Sequence, residues 1–98
     1  MSSYNSYAWT ITKDIVCAGS DDNVCGPRAC NMTPSEILAH PDGQRFRMRD
    51  GDGEVYYQGI LVGGDGFEPL DDFGTPNAGC TSIEFWEKKD GSYRWCVL

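Results

Sequence analysis

Between Arg49 and Lys88 the chain has no lysine or arginine at all, a gap of 38 residues. That gap holds nine carboxylates: Asp50, Asp52, Glu54, Asp65, Glu68, Asp71, Asp72, Glu84 and Glu87. The formal net charge of the whole chain is −7. Such a chain is repelled by nucleic acid and by anionic lipid, so direct nucleic-acid binding and membrane-surface binding are not expected. A basic protein surface is the natural complement. Long apolar runs are also missing, and none approaches the roughly 20 residues of a membrane helix. Met-Ser-Ser-Tyr-Asn-Ser at the N-terminus has neither a basic patch nor an apolar stretch of the kind a secretory signal carries, so the expected address is cytoplasmic.

Catalytic vocabulary is equally sparse. The one histidine, His40, precedes a proline, and no Ser or Cys is tied to it by a nucleophile motif. The glycine-rich runs 51–53 and 63–66 lack the following helix or the lysine of a phosphate-binding loop. Asp71-Asp72 is a carboxylate pair on a Gly/Pro-rich stretch with no evident cleft for glycoside chemistry. The sequence therefore reads as non-enzymatic, and no motif calls for a cofactor.

What is present suffices for one domain spanning residues 1–98, with enough aliphatic and aromatic side chains for a core but no room for a second. Five cysteines is an odd number, and in a reducing compartment free thiols are the expectation. Cys17, Cys25, Cys30 and His40 have the ligand types of a Cys₃His zinc site and stand as the alternative. Their spacing, C-x7-C-x4-C-x9-H, lacks the close C-x₂₋₄-C pair that presents two thiolates together.

Tyr7, Trp9 and Ile11 alternate with small or polar residues, predicting a first strand over 6–13. Residues 17–31 are rich in Gly, Asp, Asn and Pro and read as a loop. "MTPSEILAHPDG" predicts a helix over 34–40. Thr33 is its N-cap, Pro34 its first residue, Glu36 the partner in a capping box, and Met32 with Ile37 a hydrophobic staple. Pro41 cannot continue that helix. His40 at its end is placed to interact with the last carbonyls.

"RFRMRDGDGEVYYQG" contains D-x-D-G, the opening of a calcium loop. Counted from Asp50, the position needing glycine is Val55 and the position needing a bidentate glutamate is Leu61, so the calcium reading fails. A β-hairpin fits instead, with a two-residue turn at Asp50-Gly51, Gly51-Asp52 or Asp52-Gly53. All three put Phe46, Met48, Val55 and Tyr57 on one face. Arg45, Arg47 and Arg49 fall on the other beside Glu54, Tyr56 and Gln58, a phosphate-binding stripe or simply a neutralised outer face. A second hairpin covers "TSIEFWEKKDGSYRWCVL". A bulged turn at Lys88–Gly91 would gather Ile83, Phe85, Tyr93, Trp95 and Val97 on one apolar face and set Trp86 against Arg94. A tight Asp90-Gly91 turn would instead pair Phe85 with Cys96 and Glu87 with Arg94.

Residues 63–80 hold five glycines and two prolines. Phe67, Leu70 and Phe73 recur every third residue, enough to pin this stretch to the body as an Ω-like loop or one with a single helical turn. The expected fold is α+β: an antiparallel sheet of about five strands, one short helix (34–40) and a long Gly/Asp-rich loop (63–80), with a partly closed β-barrel as the alternative.

From Arg45 to Ser82 the chain also resembles a known group. "FRMRDGDGEVYYQG" followed by "FEPLDDFGTPNAGCTSI", the "EPLDDFGTPNAGCT" run above all, is similar to small, mostly uncharacterised acidic proteins of bacterial phages and other mobile elements. The resemblance implies a setting that includes inhibitors of host defence, anti-CRISPR proteins among them, some of which cover a basic nucleic-acid channel. Solubility needs net charge but does not need its signs separated, which favours a binding surface over mere solvation. The expected partner is a basic surface of a host nucleic-acid-binding protein. Asp52, Glu54, Asp65, Glu68, Asp71 and Asp72 would supply charge, with Tyr56, Phe67 and Phe73 as exposed aromatic anchors.

Overall fold

The computed structural model describes residues 7–15, 24–26, 33–64 and 66–98. Within them the strands are β1 (Ala8–Asp14), β2 (Cys25–Gly26), β3 (Gly43–Arg49), β4 (Val55–Val62), β5 (Ser82–Lys89) and β6 (Ser92–Val97). Helix α1 covers Pro34–Ala39, and a helical segment over 68–78 contains a π-helical turn, Leu70–Gly74, running into α2, Thr75–Ala78. The strands form one antiparallel sheet in the order β2-β1-β4-β3-β5-β6. It has six strands rather than about five, and it ends at β2 and β6 instead of closing into a barrel. The added strand, β2, lies inside the stretch expected to be a loop; its two residues pair with Trp9 and Thr10 of β1.

Strand alternation gives the sheet two dissimilar faces. On the inner face Trp9, Ile11, Phe46, Met48, Tyr57, Leu61, Ile83 and Phe85 make the main core, closed by Leu70 and Phe73 from the helical segment. Side chains buried this fully contribute about 1.5–3 kcal/mol each. On the outer face a smaller cluster forms where Ile37 of α1 meets Ala8 and Val62. Helix α1 thus covers the β1–β4 side of that face and reaches the start of β3, and among the described residues no helix lies over the β5–β6 side.

Two local details set the register. The β3–β4 hairpin pairs Met48 with Tyr57 and Phe46 with Gly59, the register expected for a turn at Asp52-Gly53. A bulge then pairs Arg49 with Val55, so the connection spans 50–54 instead of two residues. Val55, expected on the Phe46, Met48 and Tyr57 face, is set opposite Arg49, and Tyr56, expected beside the arginines, packs against the main core. Gly59 is required where β4 passes under the core: a Cβ there would collide with the Thr10 carbonyl and the Phe46 ring.

The β5–β6 hairpin takes the tight turn and not the bulged one. Asp90 and Gly91 both have positive φ, 51° and 86°, as a type I′ turn demands. Phe85 accordingly pairs with Cys96, Trp86 with Trp95 and Glu87 with Arg94. The five apolar residues expected on one face are therefore split. Ile83 and Phe85 enter the core, while Trp95, Tyr93 and Val97 lie on the outer face with Trp86. Type I′ twist matches that of the flanking strands, and that match outweighs the apolar face the bulge would have collected.

Helix α1 begins as read. Thr33 Oγ1 accepts from the Glu36 amide at 3.2 Å, and Glu36 Oε1 accepts from the Thr33 amide at 2.8 Å. Met32, the staple residue, lies outside the described residues. The helix stops at Ala39, one residue early, because His40 adopts an extended conformation as C-cap. The imidazole does not reach the helix carbonyls; its Nδ1 accepts from the Asp42 amide at 3.0 Å.

Candidate binding surfaces

The acidic residues expected to form one surface fall into two groups. The first rides on the helical segment. Leu70 and Phe73 face the core, and Gly74 lets the segment approach β3 so closely that a Cβ would strike the Met48 sulfur. Glu68 and Asp72 are tethered to neighbouring groups. Asp72 Oδ2 accepts from the Tyr7 hydroxyl at 2.9 Å and from Trp9 Nε1 at 3.1 Å. Glu68 Oε1 accepts from the Gly66 amide at 2.8 Å. Burial, and then the hydrogen bond to Asp72, push the Tyr7 phenol up to about 12, with Glu68 and Asp71 adding to the negative field. Asp71 and Asp72 are exposed. Asp72 is thus an anchor for the segment as well as a surface charge.

The second group is the tip of the β3–β4 hairpin. Asp50 Oδ1 accepts from the amides of Asp52 at 2.9 Å and Glu54 at 3.0 Å, a side chain closing its own turn. The Tyr56 hydroxyl bonds to the same carboxyl, which this bond chiefly, with the Glu54 amide, holds below its ordinary value. Tyr56 is correspondingly raised by Asp50. Asp52 and Glu54 are exposed.

Among the aromatic anchors the expectation divides. Phe67 is 45% exposed and Tyr56 is half-buried beside the acidic tip. Phe73 is a correction: it is 6% exposed and packs at 5.4 Å from Trp9 and 4.8 Å from Tyr57. Its position in the Phe67/Leu70/Phe73 series had already marked it as a packing residue, and a helical path puts the second and third members of that series inward. Asp65 lies outside the described residues.

Of the zinc alternative, Cys17 and Cys30 lie outside the described residues. Cys25 packs beside the outer cluster on β2, and His40 uses Nδ1 as an acceptor. No group of three or more metal-ligating side chains occurs among the described residues. Cys80 is buried just before β5, and burial, helped by Asp50, pushes its thiol up to about 11.

The surface that sequence reasoning undervalued is the bare half of the outer face. Glu84 of β5 accepts from Arg47 Nε and, at 2.9 Å, from Arg49 Nε, with only 12% of its side chain exposed. Burial alone would raise the Glu84 carboxyl, but the hydrogen bonds and charges of Arg49 and Arg47 outweigh it and hold it below its ordinary value. Glu84, from a strand 37 residues away, is thus the carboxylate on the arginine stripe, where Glu54 was expected. Beside this cluster Arg47 lies 4.3 Å over the Trp95 ring and Arg45 6.0 Å from Trp86. Trp86 is stacked on Tyr93 at 6.0 Å with ring planes 13° apart, and meets Trp95 at 5.2 Å. The expected Trp86–Arg94 pairing is replaced by these contacts, because the tight turn sends Arg94 to the opposite face. One signal was available: Trp86 and Trp95 are placed symmetrically about Asp90-Gly91, as a two-residue turn requires of facing residues.

Comparison with protein-family models, with curated proteins and with solved structures found no match to this chain. No helix among the described residues is long and apolar enough to cross a membrane.

Proposed function

We propose that this protein is a non-enzymatic, acidic protein-binding module of α+β build that acts in the cytoplasm. Its target is a basic, nucleic-acid-binding surface of a host protein. The likeness of residues 45–82 to small phage and mobile-element proteins makes an inhibitor of host defence, in the manner of anti-CRISPR proteins, the favoured setting. Asp52, Glu54, Glu68, Asp71 and Asp72 supply the charge, and Phe67 and Tyr56 the apolar contact; Asp65 is part of the same acidic stretch.

The observation that carries this reading is the separation of charge across the sheet. Arg45, Arg47 and Arg49 point away from the face on which the helical segment packs, and among the described residues the carboxylate inserted between them is Glu84. The acids of 68–72 are consequently not neutralised by the arginine stripe, and the segment bearing them is pinned by Leu70, Phe73 and the Asp72 hydrogen bonds. Fixed charge of one sign speeds association and selects partners more than it adds affinity.

The test uses charge reversal at residues that do not hold the fold together. Asp52→Lys with Asp71→Lys changes two exposed side chains and leaves Asp72 on Tyr7 and Trp9. Host proteins captured at low salt, identified by mass spectrometry and purified, should bind the wild type with a rate that falls steeply as salt rises. The double variant should associate at least roughly tenfold more slowly. Equal association of both proteins at every salt concentration rejects the acidic-surface reading.

A further inference from the structure

We propose that the bare half of the outer sheet face is a binding site for single-stranded nucleic acid, bases stacking on the Tyr93–Trp86–Trp95 cluster while phosphates pair with Arg45 and Lys88. This goes beyond the acidic-surface reading and uses none of its residues. It also departs from what the net charge of the chain suggests.

The rings are not a core. Tyr93 ends the stack with 60% of its surface exposed, and Trp86 and Trp95 are only half-buried. An exposed ring on a flat sheet offers a base a stacking surface that is indifferent to sequence, and each such contact is worth about 1–3 kcal/mol. A duplex keeps its base faces covered, which restricts the site to single strands.

Among the described residues the charge on this half of the face is positive. Three guanidiniums share one carboxylate, since Arg47 and Arg49 both bond to Glu84. Among the described residues Arg45 takes part in no ion pair and holds only its ring contact. Lys88 stands directly opposite Tyr93 in the β5–β6 register and is exposed. The acids of 68–72 belong to the layer on the far side of the sheet. At physiological ionic strength the Debye length is about 8 Å, shorter than the roughly 10 Å between packed layers. The sign of the field at the outer face is therefore set by its own arginines and lysine, not by the −7 of the whole chain.

Alternation of planar rings with guanidinium and ammonium groups suits a polymer that alternates planar bases with phosphates. An acidic peptide would use the cations and leave the rings without a matching partner. This comparison selects the nucleic acid.

The full chain is titrated into fluorescein-labelled 12-nucleotide oligothymidylate and oligouridylate at low salt, reading anisotropy and the quenching of tryptophan emission. Binding is expected with a Kd of roughly 1–100 µM at low salt, with quenching, and with affinity falling as salt rises. Tyr93→Ala and Arg45→Ala, both at exposed positions, should each weaken it roughly five- to one-hundred-fold with unchanged circular dichroism. Asp52→Lys with Asp71→Lys should leave it undiminished, which separates this site from the acidic one. No binding at about 100 µM chain, the weak end of the usual non-specific range, overturns the proposal. So does wild-type affinity in Tyr93→Ala. Competition by polyglutamate or polyphosphate as effective as by unlabelled oligothymidylate also overturns it, showing a dock for acidic protein or a mere anion exchanger.

Discussion

The two faces of this sheet are built from the same six strands and do opposite things with their aromatic residues. On the inner face Phe46, Tyr57, Phe73 and Phe85 meet edge-on or tilted, sealed from water by the helical segment. On the outer face Trp86 and Trp95 meet arginines, and Tyr93 stacks on Trp86. The difference teaches that a ring's neighbours, more than its presence in a strand, decide whether it serves folding or contact. Rings among aliphatic groups gain by leaving water, whereas rings under guanidiniums stay partly wet because the cations must remain solvated.

The sharpest way to break that contrast is to delete one ring from each face. Phe73→Ala should cost about 3–5 kcal/mol in denaturant unfolding, since the segment above the core loses its main plug. Trp95→Ala, half-buried and backed by a guanidinium, should cost about 1–2 kcal/mol. Equal costs would erase the distinction between the faces.

The next effect concerns the polar centre of the outer face. Glu84→Gln should destabilise by about 1–3 kcal/mol at neutral pH, because two guanidiniums lose a charged acceptor. The Glu84 carboxyl is held low in the folded chain, so its stabilisation is present above the unfolded carboxyl value of about 4.3 and is lost as pH falls through its lower folded value. Unfolding measured from pH 7 to 2 should therefore steepen in the acid for the wild type and less so for the variant.

A smaller effect sharpens the role of Asp72 on the inner side. Tyr7→Phe should cost about 1 kcal/mol at pH 7 through one lost hydrogen bond. The Tyr7 phenol is raised to about 12, so its contribution is whole below about 10 and disappears as pH climbs through 12. The alkaline loss of stability in that window should be reduced in the variant.

The least perturbing probe is thiol labelling read peptide by peptide. With its thiol near 11, only roughly one Cys80 in 1,000 is ionised at pH 8, and it is buried besides. Half-buried Cys96, on the edge strand β6, should react with iodoacetamide well before it; simultaneous labelling would mean that the covered centre of the inner face opens as readily as its β6 edge.

Legibility followed distance along the chain. The capping box of α1 spans three residues and was read completely. The inward set of Phe46, Met48 and Tyr57 followed from alternation, which fails at the bulge for Val55 and Tyr56, and the tip needed only the knowledge that Asp50 can close its own turn. Helicity in 68–78 was hinted at by Phe67, Leu70 and Phe73, yet its glycines and prolines masked it, since a helix this poor in propensity persists only through tertiary packing. Strand β2 has two residues and is held by β1, so nothing local announces it.

The amino-acid order alone determined where charge is missing, where α1 starts and that Phe46, Met48 and Tyr57 of the first hairpin look the same way, because each depends on near neighbours and on backbone periodicity. Only tertiary structure decided that Glu84 joins Arg47 and Arg49, that Asp72 is held by Tyr7 and Trp9, and that two tryptophans lie among arginines. Those contacts join strands and a helical segment far apart in sequence. Their energies arise from desolvation and register across the sheet, which no stretch of chain contains by itself.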